Sequence, residues 1–180
     1  MIYCLPIAKS NWPEGRIGPE KLQDSYRIIE TAVGLVKNNT VDKLLIFSAF
    51  KTNKVRKIEL DCMIDTCKTE KLPEDKMIVQ SIGYDTISVI QYAIDMCKKD
   101  TADLLIVSSQ FHHLRIRWIT SRIDKKGVTV KHKMIWGITR PQETLTDILL
   151  IFLYPVIDLF GYSFWFTNHI KIRRDKGYLL

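Results

Sequence analysis

The stretch LLIVSSQFHHLR, residues 104–115, decides the fold, because an aliphatic run passes directly into polar residues and then into a helical pattern. Its first four residues are all aliphatic, which is typical of a strand that is covered on both faces. The sequence from Phe111 to about Ile123 then predicts a helix. A buried strand followed at once by a helix is the repeating unit of parallel α/β sheets.

The same alternation of apolar runs and helical spacing extends along the chain in both directions. Apolar runs predict four further strands, at residues 2–5, 44–47, 77–79 and 128–136, the last of them half-exposed. Helical spacing predicts helices at residues 19–38, with Pro19 in the first turn, and at 58–67 and 87–97, while Thr139 and Gln142 form a capping box for a last helix. This order predicts an α/β fold: a doubly wound, mainly parallel, Rossmann-like sheet of about five strands, with a C-terminal apolar helical segment.

Composition and charge are those of a globular protein with a basic surface. The chain is 46% hydrophobic and has eight glycines and six prolines, which excludes collagen, intrinsic disorder and disulfide miniproteins. A net charge of +7 favours anionic partners. Nucleic acid is not expected among them, because the basic residues at 117–133 are better explained as a solvated surface. The four cysteines lack Cys-x-x-Cys spacing and the N-terminus lacks a basic start, so we expect buried, reduced thiols, no metal site, no export signal and a cytoplasmic location.

The longest apolar run covers Ile148–Phe166 and is followed by basic residues that suit a lipid surface. It is long enough to cross a bilayer, but Asp158 would then lie near mid-membrane and Pro155 would break the helix. Three interpretations stay open: a helix that is buried or covered by a partner, contact with the cytoplasmic membrane surface, or a true span. We therefore divide the chain into an α/β domain, residues 1–145, and an apolar helical tail with a basic end, residues 146–180.

Polar residues follow three of the predicted strands at their carboxyl ends, where open α/β sheets bind ligands. Ser48 follows the second strand, Asp85 and Thr86 follow the third, and Ser109 follows the fourth. We expect these side chains to shape a pocket, although Asp85 and Thr86 are also a typical pair at the start of a helix. A serine nucleophile is not expected, because the sequence has no Gly-x-Ser-x-Gly elbow around residue 109.

His112 and Arg115 are three residues apart and so lie on one face of the helix after the fourth strand. An arginine can hold an anion through two parallel hydrogen bonds, and a histidine can donate to the same anion or transfer protons near neutral pH. The alternative is that Arg115 pairs with a carboxylate and His112 caps the helix. The neighbouring His113 points elsewhere and is expected to be structural.

Together these residues resemble the YdcF-like family, also called SanA/ElyC-like. In that family a strand is followed by a serine, an aromatic residue, a histidine, two residues and an arginine. Ser109, Phe111, His112 and Arg115 match this element. The resemblance covers about residues 1–145, and this element is its most specific part.

The resemblance extends to weaker elements and also has departures. Tyr84-Asp85-Thr86 is similar to the family's helix-opening Asn-Thr pair, with Asp85 in place of Asn. By the same resemblance, Arg27 in the first helix and Glu143 near the start of the last helix join the candidate ligand-binding residues. The chain departs from the family at Ser48-Ala49-Phe50, where relatives have Ser-Gly-Gly, so side chains occupy space in which backbone could approach a ligand.

Three functions remain open from the sequence. The first, which the resemblance implies, is binding of a small anionic ligand, nucleotide-like or an envelope precursor, at the strand ends in cell-envelope biogenesis. The second is a hydrolase or transferase acting on a phosphorylated substrate, with His112 as general acid/base. The third is a non-enzymatic, membrane-associated envelope protein with a degenerate pocket. The cofactor is unknown, and the resemblance implies S-adenosylmethionine only through one branch of the family.

Overall fold

The structure is a computed structural model that describes residues 1–8, 23–48, 54–83, 85–136, 141–160 and 168. Strands and helices alternate through these residues. The strands are β1 (Ile2–Pro6), β2 (Lys43–Phe47), β3 (Met77–Gln80), β4 (Asp103–Ser109) and β5 (Val130–Ile135). The helices are α1 (Gln23–Lys37), α2 (Lys54–Thr69), α3 (Thr86–Asp100), α4 (Gln110–Arg122) and α5 (Pro141–Leu159), with a 3-10 turn at Glu74–Lys76.

The five strands form one sheet in the order β3-β2-β1-β4-β5, and all neighbours are parallel. This confirms the predicted α/β, Rossmann-like fold. The first strand lies at the centre, where Cys4 pairs with Leu44 of β2 on one side and with Leu105 of β4 on the other. The chain therefore reverses its direction of travel across the sheet between β1 and β4, which is the place where such folds bind ligands.

Helices cover both faces of the sheet. Alternate residues of each strand point to opposite sides, so an unbroken aliphatic strand has apolar side chains to bury on both faces. Leu44 and Ile46 belong to the core beneath α1 and α2, whereas Leu45 and Phe47 belong to the core beneath α3 and α4. The aliphatic runs of the sequence are therefore buried on both sides, as predicted for β2 and β4. The edge strands β3 and β5 are half-exposed, and the alternating polar residues of β5 predicted this for that strand.

The last helix differs from its prediction. It continues through Pro155 to Leu159, so the predicted break is wrong. A proline removes one helical hydrogen bond, which destabilises the helix. Packing of Leu150 against the core beneath α3 and α4 stabilises it in turn. The boundary between residues 145 and 146 falls inside α5. Among the described residues, no helix combines the length and apolarity needed to cross a membrane.

Two other predictions concern residues that the structure does not describe. The predicted first turn at Pro19 and the capping box at Thr139 lie outside the described residues. Helix α2 begins at Lys54, four residues before the predicted start.

Three cysteines, Cys4, Cys67 and Cys97, are buried and free, as expected, and burial raises the pKa of each thiol to about 12.

Candidate ligand site at the carboxyl edge of the sheet

A cleft of about 70 Å³ lies at the carboxyl edge of the sheet. Its wall is built by the ends of β1 and β2 and by the segment that leads into α3. Ser48, Asp85 and Thr86, which the sequence placed at the ends of separate strands, all line it. Parallel strands with a common carboxyl edge bring these residues together across 38 positions of sequence, from 48 to 86.

The turn into the cleft depends on Gly83, which sequence reasoning missed. Gly83 has a φ of +85°, a conformation that side chains disfavour. A Cβ atom there would collide with Cγ2 of Val89 in the first turns of α3. The glycine therefore lets the chain pass closely over α3, and a single glycine after the third apolar run was the only sequence signal for it.

Asp85 is the N-cap of α3, as the capping interpretation predicted. Its Oδ1 accepts hydrogen bonds from the backbone nitrogen and from Oγ of Ser88, each at 2.7 Å. The Asp85 backbone nitrogen donates in return to Ser88 Oγ at 3.1 Å, which completes a capping box. The residue is 9% exposed, and its second carboxylate oxygen, Oδ2, is buried without a hydrogen-bond partner among the described residues.

Thr86, His112 and Arg115 form a compact cluster at the edge of the cleft. Arg115 Nη2 lies 2.7 Å from His112 Nε2 and 3.4 Å from Thr86 Oγ1, and Thr86 Oγ1 lies 3.4 Å from His112 Nε2. A guanidinium has donors only, so Nε2 accepts from Arg115 and the neutral imidazole carries its proton on Nδ1. His112 is buried and Arg115 half-buried, so the sequence spacing placed both on the face that meets α3.

Ser109 is the N-cap of α4 at the end of β4. Its side chain is 2% exposed, makes no capping hydrogen bond, and leaves Oγ without a partner among the described residues. The first-turn N–H groups of α4 thus begin beside β1, where the strand order reverses. Ser109 lies at the same carboxyl edge of the sheet, but it is not among the residues that line the cleft.

The two remaining candidates are not brought to the cleft by described contacts. Arg27 is exposed on α1 and is not among the residues of the described cleft wall. Glu143 lies in the first turn of α5, and its side chain is outside the described residues. Both were proposed from the resemblance rather than from the strand-end pattern.

A second histidine cluster lies between α4 and β5, and sequence reasoning missed its partner residue. The rings of His113 and His132 meet edge to face, with centroids 5.6 Å apart, and Thr120 Oγ1 lies 3.3 Å from His132 Nε2. Burial, followed by the positive charges of His113, Arg117 and Lys125, lowers the pKa of His132 from 6.5 to about 4. Burial and Arg117 also lower the pKa of His113. Neither histidine is among the residues that line the described cleft, and the structural role expected for His113 stays a prediction.

Comparison of the chain with family models, with curated proteins and with solved structures finds no match.

The cleft also allows a test of S-adenosylmethionine. Pockets that enclose drug-sized molecules span roughly 300–1,000 Å³. The described walls bound about 70 Å³ and therefore do not enclose such a molecule. They suit a smaller polar group: hydroxyls from Ser48 and Thr86, a carboxylate from Asp85, and the Arg115–His112 pair behind Thr86.

Proposed function

We propose that this chain is a YdcF-like α/β protein that binds a small anionic ligand, nucleotide-like or an envelope precursor, and that the cleft at the carboxyl edge of its sheet takes the charged group of that ligand. The observation that carries the proposal is that Thr86, which lines the cleft, lies within 3.4 Å of both His112 and Arg115. The sequence resemblance supports the family and its role in the cell envelope, and this cluster supports an anionic ligand.

Three groups at the cluster favour a negative charge. The half-buried Arg115 offers a guanidinium, Thr86 offers a hydroxyl, and the first turn of α3 offers N–H groups and the positive end of a helix dipole. An anion that reaches Arg115 competes with His112 for the Nη2 donor. Nε2 of His112, once released by Arg115, can take up a proton and then donate it to the ligand.

Substitution of Arg115 tests the proposal, because it removes the guanidinium while the fold is expected to remain. We expect the full chain to be stabilised thermally by inorganic phosphate, pyrophosphate or a nucleoside monophosphate, and Arg115→Ala to lose this stabilisation while its own Tm stays within a few degrees. Arg117→Ala is the matched control, because Arg117 is exposed on the same helix. Mass spectrometry of small molecules retained by the purified chain identifies the natural ligand. Equal stabilisation of the Arg115 and Arg117 variants would refute the proposal.

A catalytic version of this function is favoured by the position of His112. The imidazole lies 3.4 Å from Thr86, which lines the cleft, and 2.7 Å from a cation that can hold a phosphoryl group. A hydrolase or transferase needs a general acid/base close to such a cation. We expect a chromogenic phosphate ester to be turned over with a pH–rate limb that His112→Ala abolishes. A limb that persists in this variant would exclude His112 from the chemistry.

A membrane-attached version is favoured by one exposed face of α5. Large apolar side chains repeat along it at helical spacing, and Phe160 continues the series just after the helix: Leu145, Leu149, Phe152, Leu153, Val156 and Leu159. A contiguous apolar surface on this scale marks an interaction site. The basic residues at 171–176 and the net charge of +7 make an anionic lipid surface the partner of choice.

Vesicle sedimentation tests this attachment. We expect the chain to sediment with phosphatidylglycerol-containing vesicles more than with phosphatidylcholine vesicles, and Phe152→Asp to weaken sedimentation. Tyr92→Asp, on the exposed side of α3, is the control. Self-association of the chain without vesicle binding would instead assign the face to a second copy.

A further inference from the structure

Asp85, a residue of the cleft wall, has a carboxylate of which the helix cap uses only one oxygen. Oδ1 of Asp85 is committed to the cap of α3 through its two hydrogen bonds from Ser88. Oδ2 is buried and has no donor among the described residues. A buried carboxylate oxygen without a donor costs free energy, so this position is complementary to a group that supplies one.

The charges around the cleft change sign over a short distance. Asp85 is the one ionisable side chain in the described wall. Arg115 approaches the next residue, Thr86, at 3.4 Å. Asp85 and Thr86 both line the cleft, so the negative residue and the residue that the guanidinium contacts are neighbours in its wall. A bare anion is attracted by Arg115 and repelled by Asp85, whereas a molecule with a donor beside its anionic group satisfies both.

We infer that the ligand carries a hydrogen-bond donor, a hydroxyl or an ammonium group, within a few bonds of its anionic group, and that Oδ2 of Asp85 binds this donor. The inference rests on the proposed function, because Arg115 holds the anionic group. It narrows the ligand class from any small anion to anions with an adjacent hydroxyl or amine, which includes sugar phosphates, polyol phosphates and amino-alcohol phosphates.

Three phosphate monoesters of similar size test the inference by calorimetric titration of the full chain. Glycerol 3-phosphate carries hydroxyls, phosphoethanolamine carries an ammonium group, and n-propyl phosphate carries neither. We expect wild-type protein to bind at least one of the first two about tenfold more tightly than propyl phosphate, and the better probe identifies the donor. Asp85→Asn should lose this preference and bind propyl phosphate at least as tightly as wild type, because an amide N–H replaces Oδ2.

The variant is chosen to keep the helix cap, since asparagine caps helices about as well as aspartate. Asp85→Ser, which caps but lacks the second oxygen, should lose the same preference and serves if the first variant does not fold. Asp65→Asn, on the exposed side of α2, removes an equal charge and should change nothing.

The outcomes separate the inference from the function on which it rests. If wild type binds all three probes equally and Arg115→Ala binds none, the site is anionic but Asp85 has no role in selection, and the inference is overturned. Failure of wild type to bind any of the three overturns both. A preference that survives both Asp85 variants also overturns the inference.

Discussion

At the scale of single residues, Gly83 carries the turn that builds the cleft wall. Replacement by alanine forces a side chain into a φ of +85° and against Val89. We expect Gly83→Ala to lower the free energy of unfolding by about 2 kcal/mol or more, measured by urea denaturation. Gly34→Ala is the control, because a Cβ at this position in α1 meets nothing within 4 Å and should stabilise the helix by about 0.5–1 kcal/mol. Equal effects of the two substitutions would show that the turn is not constrained.

The His113–His132 pair makes stability depend on pH. The pKa of His132 is about 4 in the folded chain, against an ordinary value of 6.5 that applies to the unfolded chain. As the pH falls, the unfolded chain therefore binds the proton before the folded chain does. Stability is therefore fully present above pH 6.5 and is lost as the pH falls toward 4. Because the site is partly solvated, we expect a loss of about 1–2 kcal/mol, well below the full linkage value.

The measurement is urea unfolding at pH 7 and at pH 4.5. His132→Gln should flatten the pH dependence relative to wild type, because glutamine can still bond to Thr120 but does not titrate. An unchanged slope would assign the acid sensitivity of the fold to other groups.

At the scale of elements, α3 ends on a residue that is poorly suited to its conformation. Thr101 caps the helix in the left-handed region, at φ 53° and ψ 47°. A β-branched side chain is disfavoured there, and glycine is the usual occupant. We expect Thr101→Gly to raise the free energy of unfolding by about 1 kcal/mol. Thr101→Val keeps the branch and should bring no gain in the same denaturation series. Destabilisation by glycine would mean that the threonine makes a compensating contact.

The elements also show what the sequence could predict. The strands were found because their buried residues form unbroken aliphatic runs, as at Leu44 and Leu104, and those runs need no knowledge of neighbours. The start of α2 was missed because residues 54–57 are mostly polar, so hydrophobic spacing carries no signal there. The helix through Pro155 was missed because local propensity disfavours proline, whereas lateral packing is a tertiary effect.

At the scale of the whole molecule, the site was predictable as far as topology determines it. Once the strands are parallel, Ser48, Asp85 and Thr86 share an edge, and the structure places them in one cleft. The 2.7 Å approach of Arg115 to His112 and their meeting with Thr86 depend on how α3 packs on α4, which one-dimensional patterns do not encode. His132 was missed for the same reason, since it comes to His113 only through the pairing of β5 with β4.

The central position of β1 has a consequence for synthesis of the chain. β1 is translated before its neighbours, and one of these, β4, follows about a hundred residues later, with Asp103 as the partner of Ile2. Until that partner leaves the ribosome, the nascent chain can assemble β1, β2 and β3 but keeps one side of its middle strand open, with backbone donors and acceptors ready to pair with another polypeptide. The partly synthesised chain therefore exposes an open strand edge to other polypeptides until residues 103–109 emerge and pair with β1.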